Sequence, residues 1–292
     1  MTATAARPTA TAGHARRSPA GPVRRGPLRW LREHVVPIVG GLALVYMLLP
    51  NVVVVLFSFN DPVGRYNYTW QKFSLDAWLN PCGPSGLCDS LLLSLKIGLL
   101  ATLLATVLGT LAAFAMARHR YRGRATTNVL VFLPMATPEV VMGSSLLTLF
   151  VGLQVPLGAT TIFIAHVMFS ISFVIVTVKA RIAGLDPRLE QAAMDLYANE
   201  RQTFLRVTLP LVAPGIIAAA LLAFALSFDD YIITNFTASA SSVTFPMYVW
   251  GTASRGTPVQ INVVGTVMFL VALSAVGVGQ VLGRRSRKRA AR

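Results

Sequence analysis

Charged residues are scarce in this 292-residue chain: Asp, Glu, Lys and Arg make up 13% of it, against roughly 25% in soluble domains. Only 11 residues are acidic, so each one needs an explanation. Cysteine is scarcer still, with Cys82 and Cys88 alone, which excludes a disulfide framework and a Cys-rich zinc site. This composition argues against a soluble domain and indicates a membrane protein.

Long apolar runs are what the chain has in place of charge. Its hydrophobic fraction is 54% and its mean hydropathy is +0.61. A bilayer core about 30 Å thick is crossed by roughly 20 apolar residues in a helix. Six stretches satisfy this requirement, at about 35–57, 90–116, 126–151, 156–178, 210–233 and 261–282. The sequence therefore predicts an all-α integral membrane protein with six transmembrane helices.

The basic residues predict the orientation of these helices. Of the 26 Lys and Arg residues, 22 lie in segments 1–34, 117–125, 179–209 and 283–292. Because cytoplasmic loops carry the excess of basic charge, both termini are expected in the cytoplasm. The net charge of +15 is then a topology signal and not evidence for nucleic-acid binding.

The same patterns divide the chain. Residues 1–33 form a basic N-terminal segment without apolar periodicity, which we expect to be disordered. Residues 34–283 form the six-helix transmembrane domain. Residues 284–292 form a basic cytoplasmic tail, expected to contact anionic membrane lipids.

The cytoplasmic segment 184–209 is patterned as two short amphipathic helices outside the bilayer. The first begins just after Asp186, a residue that favours helix N-termini. The second begins at Asn199, with Gln202 three residues later as in a capping box, and is expected to end near Leu209. Such an element either receives force from a partner protein or rests on the lipid surface.

The string "EQAAMDLYANERQTFLRVTLP" resembles the EAA loop of permease subunits of type I ATP-binding-cassette (ABC) importers. Four positions match the family pattern: Ala192, Ala193, Leu209 and Pro210. Gln191 stands where the family has Glu, although Glu190 precedes it, and Tyr197 stands where the family has Gly.

The replacement of glycine at Tyr197 has a physical consequence. A left-handed residue that ends a helix costs a residue with a β-carbon about 1–2 kcal/mol. Either Tyr197 tolerates this strain, or the turn between the two helices is built differently.

Further strings resemble the spermidine/putrescine branch of this family, and within it the PotC-type subunit. They include "TPEVVMGSSLLTLF" at 137–150, "SFDDYIITNF" at 227–236 and "FPMYVWG" at 245–251. The resemblance implies a six-helix permease that binds cytoplasmic ABC ATPase subunits, pairs with a second permease and receives solute from an extracytoplasmic substrate-binding protein. It assigns ATPase coupling to Glu190, Gln191, Ala192, Ala193, Asp195, Tyr197, Leu209 and Pro210.

The chain itself carries no phosphate-binding loop, because no lysine follows a glycine in the spacing that such a loop requires. We therefore expect no cofactor, no metal and no catalytic residue here, with ATP bound by the partner subunit.

Three acidic residues stand inside apolar sequence: Glu139, Asp229 and Asp230. Counted at about 1.5 Å per residue, Glu139 lies roughly 20 Å into span three, and Asp229 lies near the outer boundary of span five. Carboxylates at two depths suit a cationic solute, and Tyr231 adds a possible cation–π contact. Since adjacent helical residues diverge by about 100°, one aspartate faces the pathway, while the other contacts a partner permease or caps the next helix.

Each of these residues also has a structural interpretation. Glu139 is equally consistent with a hydrogen-bonded or protonated carboxyl, the aspartates with a solvated helix end, and Tyr231 with an interfacial anchor. His166, in span four, is interpreted as a packing residue, and Cys82 and Cys88 as either a disulfide or two thiols.

The sequence thus predicts one half of the pore of an ATP-driven importer in the bacterial plasma membrane, for a small organic cation and most specifically a polyamine. One alternative keeps the importer but changes the solute, to iron(III) or another small solute. Another is a stand-alone channel or secondary carrier.

Overall fold

The computed structural model describes residues 27–119 and 121–290, with the backbone alone for 27–33, 275, 276, 278 and 280–290. The elements are α1 (Pro27–Phe57), α2 (Asp76–Leu79), α3 (Leu87–Arg118), α4 (Arg124–Ala136), α5 (Glu139–Gly152), α6 (Ala159–Ala183), α7 (Arg188–Asp195), α8 (Glu200–Thr203), a π-helical segment (Phe204–Thr208), α9 (Leu209–Asp229), α10 (Ile232–Thr237), α11 (Phe245–Ala253) and α12 (Val259–Ala290). Within these residues the only β pairing is one isolated bridge, between Asn60 and Phe73. The predicted helical class is confirmed.

Four helices of the described region are long and apolar enough to cross a membrane: His34–Phe57, Leu87–Arg118, Ala159–Ala183 and Glu200–Asp229. A fifth span exists if the bent pair α4 and α5 counts as one. The sixth predicted stretch, 261–282, falls in α12, whose apolar part Val259–Ser274 is a shorter helix. The structure thus supports an all-helical membrane protein with four to five candidate spans.

The third predicted span is not one helix, contrary to our expectation. The chain bends by 104° between α4 and α5, at Thr137 and Pro138. Pro138 has no N–H to donate and disfavours helical geometry in the residue before it, and Thr137 accordingly has an extended ψ of 132°. Counting along a continuous helix therefore does not give the depth of Glu139, which stays a prediction.

The two short helices predicted in segment 184–209 begin as predicted. The backbone N–H of Arg188 donates to the Asp186 carboxylate at 2.9 Å. At the start of α8, Asn199 and Gln202 form the expected capping box, with reciprocal bonds of 2.8 and 3.1 Å.

The predicted end of the second cytoplasmic helix near Leu209 is wrong. The helix instead continues through Phe204–Thr208 into α9, as one run from Glu200 to Asp229. Pro210 lacks a backbone donor, and the wider π-helical turn just before it absorbs this defect without ending the helix.

The core is built by α3, α6 and α9, which pack against one another. Its buried residues include Ala105, Val174 and Val212. Gly109 allows α3 to approach α6 closely, because a β-carbon at this position would lie 2.7 Å from Val174. A second buried cluster joins α5, α6 and α10.

The chain divides into two compact units, residues 1–52 and 53–292. Of the predicted disordered segment 1–33, residues 1–26 lie outside the described residues, whereas 27–33 form the first turns of α1. In the predicted tail 284–292, the backbone is helical to Ala290.

In the second unit, Cys82, in the segment that follows α2, forms a disulfide with Cys88 in the first turn of α3, so the two cysteines are not free thiols. Nearby, Asn60 is buried and donates to the side chain of Asn67 at 2.6 Å, ordering the loop that follows α1.

Candidate functional site

The loop of residues 184–209 is tied to the helical core through Glu190. The guanidinium of Arg118, the last residue of α3, makes two charge-assisted hydrogen bonds to this carboxylate. The hydroxyl of Thr208 donates to the same carboxylate at 2.6 Å. Glu190 thereby joins α7, α3 and the π-helical segment, and α7 is connected to two membrane helices at once.

The electrostatics at Glu190 follow from these contacts. Hydrogen bonding to Arg118 holds the pKa of the Glu190 carboxyl below its ordinary value, and the Thr208 hydroxyl acts in the same direction against the opposing effect of partial burial. Glu190 is therefore a carboxylate at neutral pH, and the ion pair is intact there.

Tyr197 adopts the backbone conformation that glycine usually supplies. Its φ is +64°, in the left-handed region. Ala198 N–H donates to the carbonyl of Ala193, and Tyr197 N–H donates to that of Met194, which is the hydrogen-bond pattern of a Schellman motif. The tyrosine side chain is 98% exposed, so no packing within the described chain offsets the strain.

Of the remaining predicted coupling residues, Gln191, Ala192, Ala193 and Asp195 lie on α7, and Leu209 and Pro210 begin α9. Gln191, Ala192, Asp195 and Pro210 are exposed, whereas Ala193 and Leu209 are half-buried. An open cavity of about 550 Å³ lies between this loop and the end of α3, lined by residues that include Phe114, Met194 and Phe204. The loop thus presents a mixed surface, in which the polar side chains stand beside exposed large residues such as Leu196 and Tyr197, and Glu190 ties it to α3.

Glu139 and Asp229 lie at helix ends and are exposed. Glu139 is the first residue of α5, and Asp229 is the last residue of α9. In the part of the chain that the structure describes, neither carboxylate has a salt bridge. The buried cluster of Met142 and Ile233 lies just beyond them, three residues after Glu139 and four after Asp229. The two acids therefore border one packed region.

Asp230 has a different environment, since its side chain is only 6% exposed. Its carboxylate accepts from Thr234 N–H at 2.7 Å, from the Thr234 hydroxyl at 2.7 Å and from Ile233 N–H at 3.3 Å. The Nε2 atom of His166 lies 3.3 Å from the same carboxylate, and its Nδ1 lies 2.7 Å from Ser227 Oγ. Asp230 caps α10 from inside a buried polar cluster.

Tyr231 stacks on Trp250 of α11, with ring centroids 5.2 Å apart. Tyr231 follows Asp229 and Asp230 in the sequence, and the Trp250 ring covers one face of its ring. Among the described residues, no group of three or more His, Cys, Asp or Glu side chains is placed to hold a metal.

Several residues that organise the site were not found by sequence reasoning. Arg118 and Thr208 were missed because their partner, Glu190, is distant in sequence. His166 was interpreted as a packing residue, although a histidine within an apolar span is itself a signal for a buried polar partner. The structure shows that partner to be Asp230.

Comparison with solved structures shows the fold. A bacterial ABC transporter that imports the acidic polysaccharide alginate has a chain that aligns with a TM-score of 0.60 and 16% identity, over 88% of this chain and 97% of that chain. An inward-facing structure of the MetNI methionine ABC transporter aligns with a TM-score of 0.53 and 12% identity, over 66% of this chain and 92% of that one.

Comparison with known sequences shows the family. The Haemophilus influenzae spermidine/putrescine transport system permease protein PotC is 32% identical, over 82% of this chain and 93% of its own length. The Escherichia coli putrescine transport system permease protein PotI is 34% identical, over 88% and 89%. Residues 105–288 match the family described as binding-protein-dependent transport system inner membrane component. The chain belongs to this family, and is a multi-pass inner-membrane permease component without catalytic activity of its own.

Proposed function

We propose that this permease forms half of the translocation pore of an ABC importer for a polyamine of the spermidine/putrescine class. The observation that carries the proposal is the exposure of Glu139 and Asp229, unpaired within the described residues, at two helix ends that border one packed cluster. A polyamine is a chain of separated ammonium groups, and two carboxylates that lack cationic partners suit it. The relatives PotC and PotI, a spermidine/putrescine and a putrescine transport system permease protein, support the same class of solute.

The pathway residues have separate roles in this proposal. Glu139 and Asp229 bind successive ammonium groups as the solute passes. Tyr231 offers the ring face that Trp250 leaves free, where a cation–π contact is worth about 0.5–2 kcal/mol. The sequence placed Asp230 in the same pathway, but its side chain is buried.

The proposed topology has six membrane crossings. The bent pair α4 and α5 forms the third crossing, and α12 forms the sixth. Both termini lie in the cytoplasm, which agrees with the distribution of basic residues. The basic C-terminal segment then lies against anionic lipid.

Cytoplasmic ABC ATPase subunits bind the loop that contains Glu190, Gln191, Ala192, Ala193, Asp195, Tyr197, Leu209 and Pro210. Its anchoring supports this role: Glu190 connects it to Arg118 in α3 and to Thr208 before α9. Movement of the loop by nucleotide binding in the partner would therefore move two membrane helices together. A second permease subunit and an extracytoplasmic binding protein complete the transporter.

The proposal is tested by uptake of radiolabelled spermidine and putrescine into proteoliposomes that contain the full transporter. Glu139→Gln and Asp229→Asn are each expected to raise the KM for uptake by about tenfold, because each removes a charge-assisted contact. Asp61→Asn, which neutralises an exposed acid of the outer loop, is the matched control and should leave the KM unchanged. Normal uptake by both pathway variants would overturn the carboxylate pathway.

Dependence on the ATPase is tested separately. Deletion of residues 187–207 should abolish co-purification of the ATPase with this chain. Uptake by the purified chain alone, without an ATPase, would show a channel or secondary carrier and contradict the proposal. Transport of iron(III) or another solute with no polyamine uptake would retain the importer and exclude the polyamine.

A further inference from the structure

The junction between α9 and α10 contains a buried polar cluster that the proposed transport pathway does not use. This cluster, the His166 cluster, consists of His166, Ser227, Asp230 and Thr234. Side chains of His166 and Asp230 are 3% and 6% exposed. Ser227 and Thr234 are also buried.

A buried carboxylate is costly unless donors surround it. Asp230 receives two backbone N–H groups and the hydroxyl of Thr234, and Nε2 of His166 lies 3.3 Å from the same carboxylate. Because the Thr234 hydroxyl proton is directed to Asp230, the Thr234 oxygen is free to accept from Nε2–H of His166, which lies 2.9 Å away. The carboxylate of Asp230 is therefore occupied by donors of its own chain, whereas that of Asp229 is exposed.

The cluster joins α6, α9 and α10 across the non-helical residues between α9 and α10. Ser227 lies in the last turn of α9, Thr234 lies in α10, and His166 reaches both from the middle of α6. A second tie links α6 and α10, since the Thr161 hydroxyl donates to the carbonyl of Thr237 at 2.7 Å.

On its other side, α10 is pressed against α5. A β-carbon at Gly143 would lie 2.6 Å from the ring of Phe236. The short helix α10 is thus held between α5 and α6, and α5 begins at Glu139. The position of α10 therefore affects the region that both pathway carboxylates border.

We propose that His166 is a positioning residue for transport. It holds Asp230 as the cap of α10 and fixes the junction between α9 and α10. Of the two adjacent aspartates, Asp229 alone then contacts the solute. The solute assignment rests on the proposed function. The positioning role requires only the geometry of the cluster, so the two fail separately.

The test uses the full transporter in proteoliposomes and two readouts, the KM and Vmax of spermidine uptake and the melting temperature of the purified complex. The variants are His166→Ala, Asp230→Asn, the double variant of both, and Asp229→Asn. Ser170→Ala is the matched control, because Ser170 is buried one turn from His166 on α6 and its hydroxyl has no hydrogen-bond partner among the described residues.

Removal of His166 takes a polar contact away from a buried carboxylate, so His166→Ala should lower both the melting temperature and, by about tenfold, Vmax. Asparagine still accepts at a helix N-terminus, so Asp230→Asn should change the KM by less than about twofold. The double variant should be more stable and faster than His166→Ala, because the stranded charge is gone. Asp229→Asn should raise the KM, and Ser170→Ala should behave as wild type.

Two results would overturn the inference. One is an Asp230→Asn variant whose KM rises as much as that of Asp229→Asn, which would place Asp230 in contact with solute. The other is a double variant no better than His166→Ala in melting temperature. Absence of spermidine uptake by the wild-type transporter would instead refute the solute assignment, and the melting temperatures would still test the positioning role.

Discussion

Arg118 and Glu190, which are 72 positions apart in sequence, form a two-pronged ion pair between the end of α3 and the short helix α7. The carboxylate also accepts from Thr208, just before α9. A force applied to α7 is therefore transmitted to α3 and α9 through one side chain.

Neutralising this carboxylate should uncouple transport more than it destabilises the protein. Arg118 is 43% exposed, and an exposed ion pair is worth about 0.2–1 kcal/mol, so Glu190→Gln should lower the melting temperature only slightly. Uptake per ATP hydrolysed should fall several-fold. Glu200→Gln, an exposed carboxylate on the neighbouring helix, should leave this ratio unchanged. Equal ratios of uptake to ATP hydrolysis in Glu190→Gln and Glu200→Gln would show that the ion pair does not transmit movement of α7.

The same ion pair predicts a pH dependence for the loop. Because the pKa of Glu190 is lowered in the folded chain, its stabilising effect is complete above the ordinary glutamate value of 4.5 and is lost as the pH falls through the lower folded value. Amide hydrogen exchange in residues 188–208 should therefore accelerate, relative to the intrinsic rate, only below pH 4.5. In Glu190→Gln this acid-induced step should be absent; a step of equal size would assign the effect to another group.

Tyr197 carries backbone strain that glycine would relieve. Tyr197→Gly should stabilise the turn by up to about 1 kcal/mol and leave transport intact, because the residue is in the left-handed region and its side chain makes no packing contact in the described chain. Hydrogen exchange at Ala198 is the measurement. Tyr197→Ala keeps the strain and removes the ring, so it should match wild type in exchange. Loss of transport in both variants would show that the ring contacts a partner.

The approach of α3 to α6 depends on Gly109. In Gly109→Ala the new methyl group would lie 2.7 Å from Val174, and we expect a destabilisation of about 1–3 kcal/mol, measured as a lower melting temperature. Gly152→Ala, at the end of α5, meets nothing within 4 Å and is the control. Equal melting temperatures of Gly109→Ala and Gly152→Ala would show that α3 can move away from α6 without loss of stability.

Sequence reasoning located most helices because the evidence for them is local. The capping box of Asn199 and Gln202 was readable in four residues, and it is present in the structure. Pro138 signalled a weak point in the third span, but the size of the bend depends on the packing of α5 against α6 and α10, which no local pattern encodes.

The site was only partly readable for the same reason. The sequence marked Glu139, Asp229 and Asp230 as exceptional but could not separate the two adjacent aspartates. Their difference arises from His166, 64 positions before Asp230, whose imidazole reaches one carboxylate and not the other. Contacts of this kind between distant positions become visible only in three dimensions.

The uninterrupted run from Glu200 to Asp229 has a mechanical consequence. Its 30 residues measure about 45 Å at 1.5 Å per residue, which exceeds the roughly 30 Å of a bilayer interior. The helix begins next to the segment that Glu190 anchors and ends at the aspartate pair. A displacement at its Glu200 end is transmitted to its Asp229 end without an intervening loop.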